Sequence, residues 1–96
     1  MAEFRLSPAA QDDLEAVFEY TLREWGLDQA LRYTDLIEQN CAELAEGPLL
    51  AQSCDAIRPG YRRRTVGRHV IYFKQAEYGI AVIRILHQRM DTARHL

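Results

Sequence analysis

The residues best suited to chemistry are arginines, and they are concentrated in one half of this 96-residue chain. Residues 1–55 carry a net charge of −9 and residues 56–96 carry +7, which together give the overall charge of −2. All but one of the cations in the second half are arginine, whose planar guanidinium binds carboxylate and phosphate groups through paired N–H donors. This charge separation predicts that the second half contacts an anionic partner, either a nucleic acid or an acidic protein segment.

The arginine run at residues 62–64 places cations on both faces of a predicted strand. Basic residues at a sheet edge prevent edge-to-edge aggregation, which is the simpler interpretation of the run taken alone. Further arginines are expected on adjoining strands or at their ends, and this predicts one converging contact surface instead. The arginines of the predicted surface are Arg58, Arg62, Arg63, Arg64, Arg68, Arg84 and Arg89.

Histidines are the other candidates for chemistry, and the chain has three of them, His69, His87 and His95. RNA cleavage needs a base at the 2′-hydroxyl, an acid at the leaving oxygen and cations at the phosphate. His87 and the arginines could fill these roles. Because no acidic residue nearby in sequence would orient the imidazole, a surface or structural role for His87 is favoured.

The sequence predicts neither a metal site nor a cofactor. Cys41 and Cys54 lack both CxxC spacing and a histidine partner at zinc-like spacing, so we expect two free thiols. The glycines occur singly at predicted turns and form no phosphate-binding motif. With no secretory signal and no apolar run of the roughly 18 residues that cross a membrane, the chain is predicted to be cytoplasmic, without a membrane partner.

The elements that must position these residues begin with a strand at 2–6, where apolar and polar residues alternate. Ser7-Pro8 then predicts a helix start, and an apolar stripe continues to Trp25 before Gly26 ends the helix. Asp28 is the predicted cap of a second helix, which Gly47-Pro48 closes. The stripes consist of Leu14, Val17, Phe18, Thr21 and Trp25, and of Ala30, Tyr33, Ile37, Cys41 and Leu44.

The second half of the chain is predicted to form a three-stranded meander over residues 61–66, 69–74 and 80–86. The preceding segment, 47–60, is predicted to be a loop that packs Leu49, Leu50 and Ile57 over the core. The tail from His87 to Leu96 is either a helical turn or a frayed end. The order β-α-α-β-β-β predicts one α+β domain over 1–96, with an antiparallel two-helix hairpin packed on a mainly antiparallel sheet.

Both faces of this predicted sheet are apolar, although the helices can cover only one. One strand contains the continuous apolar run from Val70 to Phe73, and the last strand has apolar residues on both sides. The second face must therefore be covered by a partner, a second copy, or this chain's own 47–60 loop or tail. Pattern alone does not separate these possibilities.

A resemblance to a known family rests on the segments LSPAAQDDLEAVFEYT, the WG after it, IRPGYRRRTVGRHVIYF and RILHQRMD. Together they resemble the ParE toxins of bacterial toxin–antitoxin pairs, within the wider RelE/ParE superfamily. The resemblance spans nearly the whole chain and preserves the order of elements. It implies a toxin that stalls DNA gyrase on cleaved DNA without being a catalyst. It also implies a ParD-like antitoxin that neutralises the toxin by wrapping the sheet and the helical hairpin.

The superfamily contains a second branch, the RelE-like toxins, which cleave mRNA on the ribosome. In that alternative Arg84 and His87 would be the catalytic residues, whereas the gyrase interpretation implies none. Lys74 is the only lysine and the ending HQRMD is ParE-like, so the gyrase poison is favoured. A third possibility is a toxin fold that binds antitoxin but is no longer toxic.

No motif of the family fixes the surface that contacts gyrase, so the candidates are taken from the Arg58–Arg68 region and the Arg84–Met90 end, and we expect no direct sequence-specific contact with nucleic acid. Candidate residues for binding the partner or target are Arg58, Tyr61, Arg62, Arg63, Arg64, Arg68, Arg84, His87, Arg89 and Met90. Apolar candidates for contact with the antitoxin, on the second face of the sheet, are Tyr72, Ile80, Val82 and Leu86.

Overall fold

A computed structural model describes residues 1–90 and 92–96 as a five-stranded sheet with a helical hairpin on one face. This confirms the α+β fold class and the predicted order of the main elements. The strands are β1 (Glu3–Leu6), β2 (Gln52–Ser53), β3 (Tyr61–Val66), β4 (His69–Ala76) and β5 (Gly79–His87). The helices are α1 (Pro8–Trp25), α2 (Leu27–Glu46) and the short α3 (Thr92–His95), with a 3₁₀ turn at Pro48–Leu50. No helix of the described residues has the length and apolar character to cross a membrane.

The start of α1 is fixed both locally and to the sheet. The hydroxyl of Ser7 accepts a hydrogen bond from the N–H of Ala10 at 3.0 Å and donates one to the carbonyl of Ile83 at 2.7 Å. The predicted cap is therefore confirmed, and the same side chain ties the helix to β5. At the other end Gly26 terminates α1 and directly precedes α2, with φ of +92°. The prediction that Asp28 caps α2 is wrong, since Asp28 lies in the first turn. Its negative charge there interacts favourably with the positive end of the helix dipole.

The sheet has the strand order β1-β5-β4-β3-β2, in which only the β1–β5 pair is parallel. This pairing begins where Glu3 lies opposite Gly79. Gly79 has φ of +142°, and a side chain there would collide with the backbone of Glu3. A glycine is thus required for β1 to reach the sheet.

A β-bulge in β5 decides which apolar residues face the helices. The pairing with β4 passes from Val82 to Arg84, which leaves Ile83 as the extra residue. Ile80, Val82 and Ile85 all join the core under the helices, whereas Leu86 lies on the opposite face. The prediction that Ile80, Val82 and Leu86 share one face is therefore wrong, because the bulge reverses the alternation partway along the strand.

The second face of the sheet is covered by the chain itself. A small cluster of Cys54, Val70, Tyr72 and Leu86 packs there with Tyr61 from β3 and Leu96 from the tail. The four apolar candidates for antitoxin contact, Tyr72, Ile80, Val82 and Leu86, are each at most 2% exposed. Their prediction as an exposed surface is corrected, because two of them lie under the helices and two under the loop and tail.

The 47–60 loop packs against the sheet through residues other than those predicted. Leu49, Leu50 and Ile57 are exposed, whereas Ala51 is buried in the core under the helices and Cys54 in the second cluster. The difference arises because β2 pairs with β3 immediately after the 3₁₀ turn and directs this part of the loop along the sheet edge.

Candidate partner-binding cleft

An open cleft of about 600 Å³ lies between the helical hairpin and one end of the sheet. The part of α1 from Asp13 onward and the first turns of α2 form one wall, the turn between β3 and β4 forms the other, and β5 lies at its base. Trp25 belongs to the wall and is 71% exposed, so its prediction as a core residue is wrong. The residues lining the cleft include Asp13, Val17, Tyr20, Thr21, Trp25, Gln29, Tyr33, Gly67, Arg68, His69, Ile85, His87 and Met90.

Two histidines meet at the strand end of the cleft. His69 opens β4 and His87 ends β5, and antiparallel pairing places them opposite each other. Their rings lie 5.3 Å apart between centroids, edge to face at 84°. Burial lowers the pKa of His69, the proximity of His87 lowers it further, and Asp13 opposes both effects. His69 is therefore held in its neutral form more strongly than a free histidine.

The hydroxyl of Tyr33 fixes the orientation of His69. It lies 2.6 Å from Nδ1 of His69, 3.2 Å from the carbonyl of Val66 and 3.1 Å from the N–H of Arg68. All three contacts are hydrogen bonds if the hydroxyl donates to Val66 and accepts from Arg68 and from Nδ1–H of His69. We assign this arrangement, which leaves Nε2 of His69 without a proton in the neutral ring.

His87 has the opposite arrangement of protons. Its Nδ1 accepts a hydrogen bond from the backbone N–H of Arg89 at 3.1 Å. A backbone N–H can only donate, so the proton of neutral His87 is on Nε2. The pair therefore combines one Nε2 that accepts with one Nε2 that donates.

The turn beside the histidines is shaped by Tyr33. Gly67 has φ of +58°, and a Cβ atom there would lie 2.8 Å from the Tyr33 ring. Only glycine allows the turn to approach α2 this closely.

Candidates from two separate parts of the sequence meet at this end of the cleft. The N–H of Gln88 donates to the carbonyl of Arg68 at 2.8 Å, which joins the β3–β4 turn to the end of β5. Arg68, His87 and Met90 all line the cleft, and Arg89 follows beside them with an exposed side chain. Three of the ten predicted contact residues therefore line the cleft, and a fourth, Arg89, is their neighbour in sequence.

Arg84 is bound within the chain, away from this group. Its Nε and Nη2 donate to the two carboxylate oxygens of Asp13 at 2.7 and 2.8 Å, and the N–H of Ile85 donates to the same carboxylate at 2.9 Å. The hydrogen bond to Asp13 raises the pKa of Arg84. Arg84 and His87 are three residues apart beyond the bulge, so their side chains leave opposite faces of β5. The two candidates of the RNA-cleavage alternative are therefore not assembled into one site.

The arginines of β3 are also divided between the two faces. Arg62 donates to the carbonyl of Ala51 at 2.8 Å, and Arg64 pairs with Glu43 of α2 at 3.1 Å. Arg63 leaves the opposite face, near Cys54, whose pKa is raised mainly by burial. The single converging surface predicted for the arginines is corrected, because strand alternation separates neighbouring residues.

Two further candidates lie outside the cleft, since Arg58 is exposed in the 54–60 loop and Tyr61 packs against the second cluster. Sequence reasoning missed Tyr20, Trp25, Tyr33, His69 and Asp13 as residues that build the cleft. A signal existed for His69, which starts one strand of a predicted hairpin whose next strand ends at His87. No group of three or more metal-ligating residues occurs in the described ranges 1–90 and 92–96.

Comparison with known proteins places the whole chain in one group. Residues 4–92 match a family described as "ParE toxin of type II toxin-antitoxin system, parDE". Toxin ParE1 of Mycobacterium tuberculosis (strain H37Rv) is 41% identical over 96 residues, covering 99% of this chain and 98% of the relative. Toxin ParE1 of Caulobacter vibrioides is 34% identical over 100% of this chain and 99% of the relative. A solved structure of the chromosomal ParDE TA system from P. aeruginosa has the same fold, with a TM-score of 0.77 at 20% identity, covering 91% and 96% of the two chains.

Proposed function

The chain belongs to the ParE family of type II toxins, and from this premise we propose that it poisons DNA gyrase and is neutralised by a ParD-like antitoxin. The poisoned gyrase would remain on cleaved DNA and block replication in the cytoplasm. The observation that carries the proposal is similarity over the full length of relatives named as ParE toxins.

The arrangement of the candidate residues supports a binding toxin over an RNA-cleaving one. Arg84 would have to give up both hydrogen bonds to Asp13 before it could neutralise a phosphate. Breaking a charge-assisted pair of this kind costs about 1.5–3 kcal/mol per hydrogen bond. We therefore propose that the toxin acts by binding and performs no catalysis itself.

The cleft is the proposed surface for these partners. It combines exposed aromatic rings with cations, the composition that protein interfaces favour at their centres. Tyr20, Trp25 and Met90 offer apolar contacts, while Arg68 in the lining and the exposed Arg89 next to Met90 offer charge at one end. An antitoxin seated in the cleft would hide the same residues from gyrase, which explains neutralisation by direct competition.

The direct test incubates purified gyrase, ATP and supercoiled plasmid with the isolated chain. After protein denaturation we expect dose-dependent linear DNA together with lost supercoiling, both reversed by the antitoxin. Arg68→Ala should weaken the effect, whereas the matched control Arg32→Ala, which removes an exposed arginine from α2, should not.

Three results would contradict the proposal in different ways. Unchanged gyrase activity at concentrations that arrest growth would direct attention to ribosomes and to mRNA cleavage. Harmless expression in the absence of the antitoxin would identify a toxin fold that has lost its activity. Equal loss of effect in Arg68→Ala and Arg32→Ala would remove the cleft as the contact surface.

A further inference from the structure

The histidine pair lines the strand end of the cleft, and the Nδ1 atom of each ring is already occupied by a hydrogen bond within the chain. Resting on the proposed antitoxin binding, we propose that an aspartate or glutamate side chain of the antitoxin bridges the Nε2 atoms of His69 and His87 from the cleft, and that one proton is taken up when it binds. The site would make neutralisation tighter as pH falls through the neutral range.

The first argument is the supply of hydrogen-bond donors. His87 already carries a proton on Nε2, because the N–H of Arg89 occupies its Nδ1. His69 directs its Nδ1 toward Tyr33, so its Nε2 can bind an anion only after gaining a proton. A carboxylate can only accept, so one that bridges the two rings needs a proton on each Nε2. Proton uptake follows from the hydrogen-bond pattern around Tyr33.

The second argument is charge complementarity around the pair. The turn contributes Arg68 to the lining of the cleft, the exposed Arg89 follows the end of β5, and neither forms an ion pair among the described residues. An arriving carboxylate would meet these cations at the mouth of the cleft. The adjoining apolar wall, with Tyr20 and Trp25, suits the apolar side of an acidic, amphipathic segment.

The other titratable groups that face the pair allow one added positive charge on it. Asp13 of α1 is the nearest carboxylate, and it is committed to Arg84 and to the N–H of Ile85. The other titratable side chains of the helices that line the cleft are the phenols of Tyr20 of α1 and Tyr33 of α2. Because the rings of His69 and His87 are in contact, a single added proton between them, balanced by the bound carboxylate, is the favoured state.

The test measures the binding of the full-length cognate antitoxin by calorimetry, in two buffers of different ionisation enthalpy, at pH 7.5 and 6.0. We expect uptake of close to one proton, with affinity rising by up to about tenfold per pH unit in this range. His69→Asn should bind the antitoxin more weakly than the unmodified chain at pH 6.0 and should lose both the proton uptake and the pH dependence. His95→Asn is the matched control, because His95 lies in the tail outside the cleft, and it should behave as the unmodified chain.

Direct titration of the three histidines by NMR provides a second measurement that needs no variant. Antitoxin binding should raise the pKa of His69, while His95 should not respond. Binding that takes up no proton and does not change with pH would overturn the carboxylate site and leave the proposed function intact. Proton uptake that persists in His69→Asn would also overturn it. Absence of antitoxin binding at either pH would overturn the proposed function itself.

Discussion

The two faces of the sheet are covered by different elements, and these elements are held against the sheet with different firmness. Under the helices, Phe73 and the strand residues around it pack against two long helices whose apolar stripes hold them in place. On the other face, Tyr72 and Leu86 lie beneath a loop and a short tail. A long helix and a strand constrain each other along their whole length, whereas a tail is held at a few points.

Among the described residues, hydrogen bonds that join the tail to the second face involve Thr92 and His95. The hydroxyls of Tyr72 and Thr92 are 2.8 Å apart, and Arg84 donates to the carbonyl of His95 at 3.4 Å. Leu96 adds one apolar contact. The helix-covered face should therefore determine global stability, while the second face should respond locally. The predictions below test this difference.

Adjacent residues with isomeric side chains give the most direct test, since Ile85 lies under the helices and Leu86 under the loop and tail. Truncating a buried Ile or Leu to Ala costs about 2–5 kcal/mol, and the cost is lower where the surroundings can close the cavity. We expect Ile85→Ala near the upper end and Leu86→Ala near the lower end. Denaturant unfolding of both variants provides the measurement, and equal costs would show that the two covers are equally rigid.

Breaking the ion pair between Arg84 and Asp13 should have the next largest effect on the free energy of unfolding. Arg84 and Asp13 are 22% and 15% exposed, so Asp13→Ala leaves a half-buried guanidinium and the N–H of Ile85 without their acceptor. We expect a loss of about 2 kcal/mol in the free energy of unfolding. The more exposed pair of Arg64 with Glu43 serves as the comparison, and Glu43→Ala should cost at most about 1 kcal/mol.

Salt separates the two pairs further. Added sodium chloride should reduce the small effect of Glu43→Ala and leave most of the effect of Asp13→Ala, because buried charges are screened less. If both effects vanished in high salt, the contact of Asp13 with the backbone would contribute nothing.

Removal of the tail by a stop codon at residue 91 should have a smaller effect. The shortened chain loses the contact of Leu96 and the hydrogen bond of Tyr72, which together contribute about 1–2 kcal/mol. Hydrogen exchange should increase in the strands of the second cluster and not in α1 or α2. Faster exchange across the whole chain would instead show that the tail supports the main core.

Acidification should produce the smallest change, and it concerns the cleft, whose base belongs to the helix-covered side. Since burial lowers the pKa of His69 in the folded chain, the unfolded chain binds more protons between that value and about 6.5. The contribution of His69 to the free energy of unfolding is therefore fully present above about pH 6.5 and declines as pH falls below that value. The melting temperature between pH 7.5 and 5.5 should fall less in His69→Asn, and an identical fall would assign the effect to other groups.

Much of the fold could be predicted from local signals. Ser7-Pro8 marks the start of α1, Gly26 marks its end, and the turn at Gly67-Arg68 joins two strands as expected. These signals depend on capping and backbone conformation within a few residues, so no distant contact is needed to read them.

The candidate site was less predictable. Trp25 continues the apolar stripe of α1 and yet projects over the cleft, since nothing in a helical repeat tells where the sheet beneath it stops. Arg84 was a candidate for binding, but Asp13, 71 residues away in sequence, holds it.

The sequence by itself determined the order of elements, the α+β class, the separation of charge and the family. The first three depend on composition and on short-range periodicity, which the chain carries along its length, whereas the family rests on the resemblance of particular segments to ParE toxins. Only the tertiary structure decided which face each residue takes, because the bulge at Ile83 reverses the alternation of β5. It also decided that Tyr33, His69 and His87 meet at one end of a cleft, since long-range pairing of α2, β4 and β5 brings together residues that no local pattern connects.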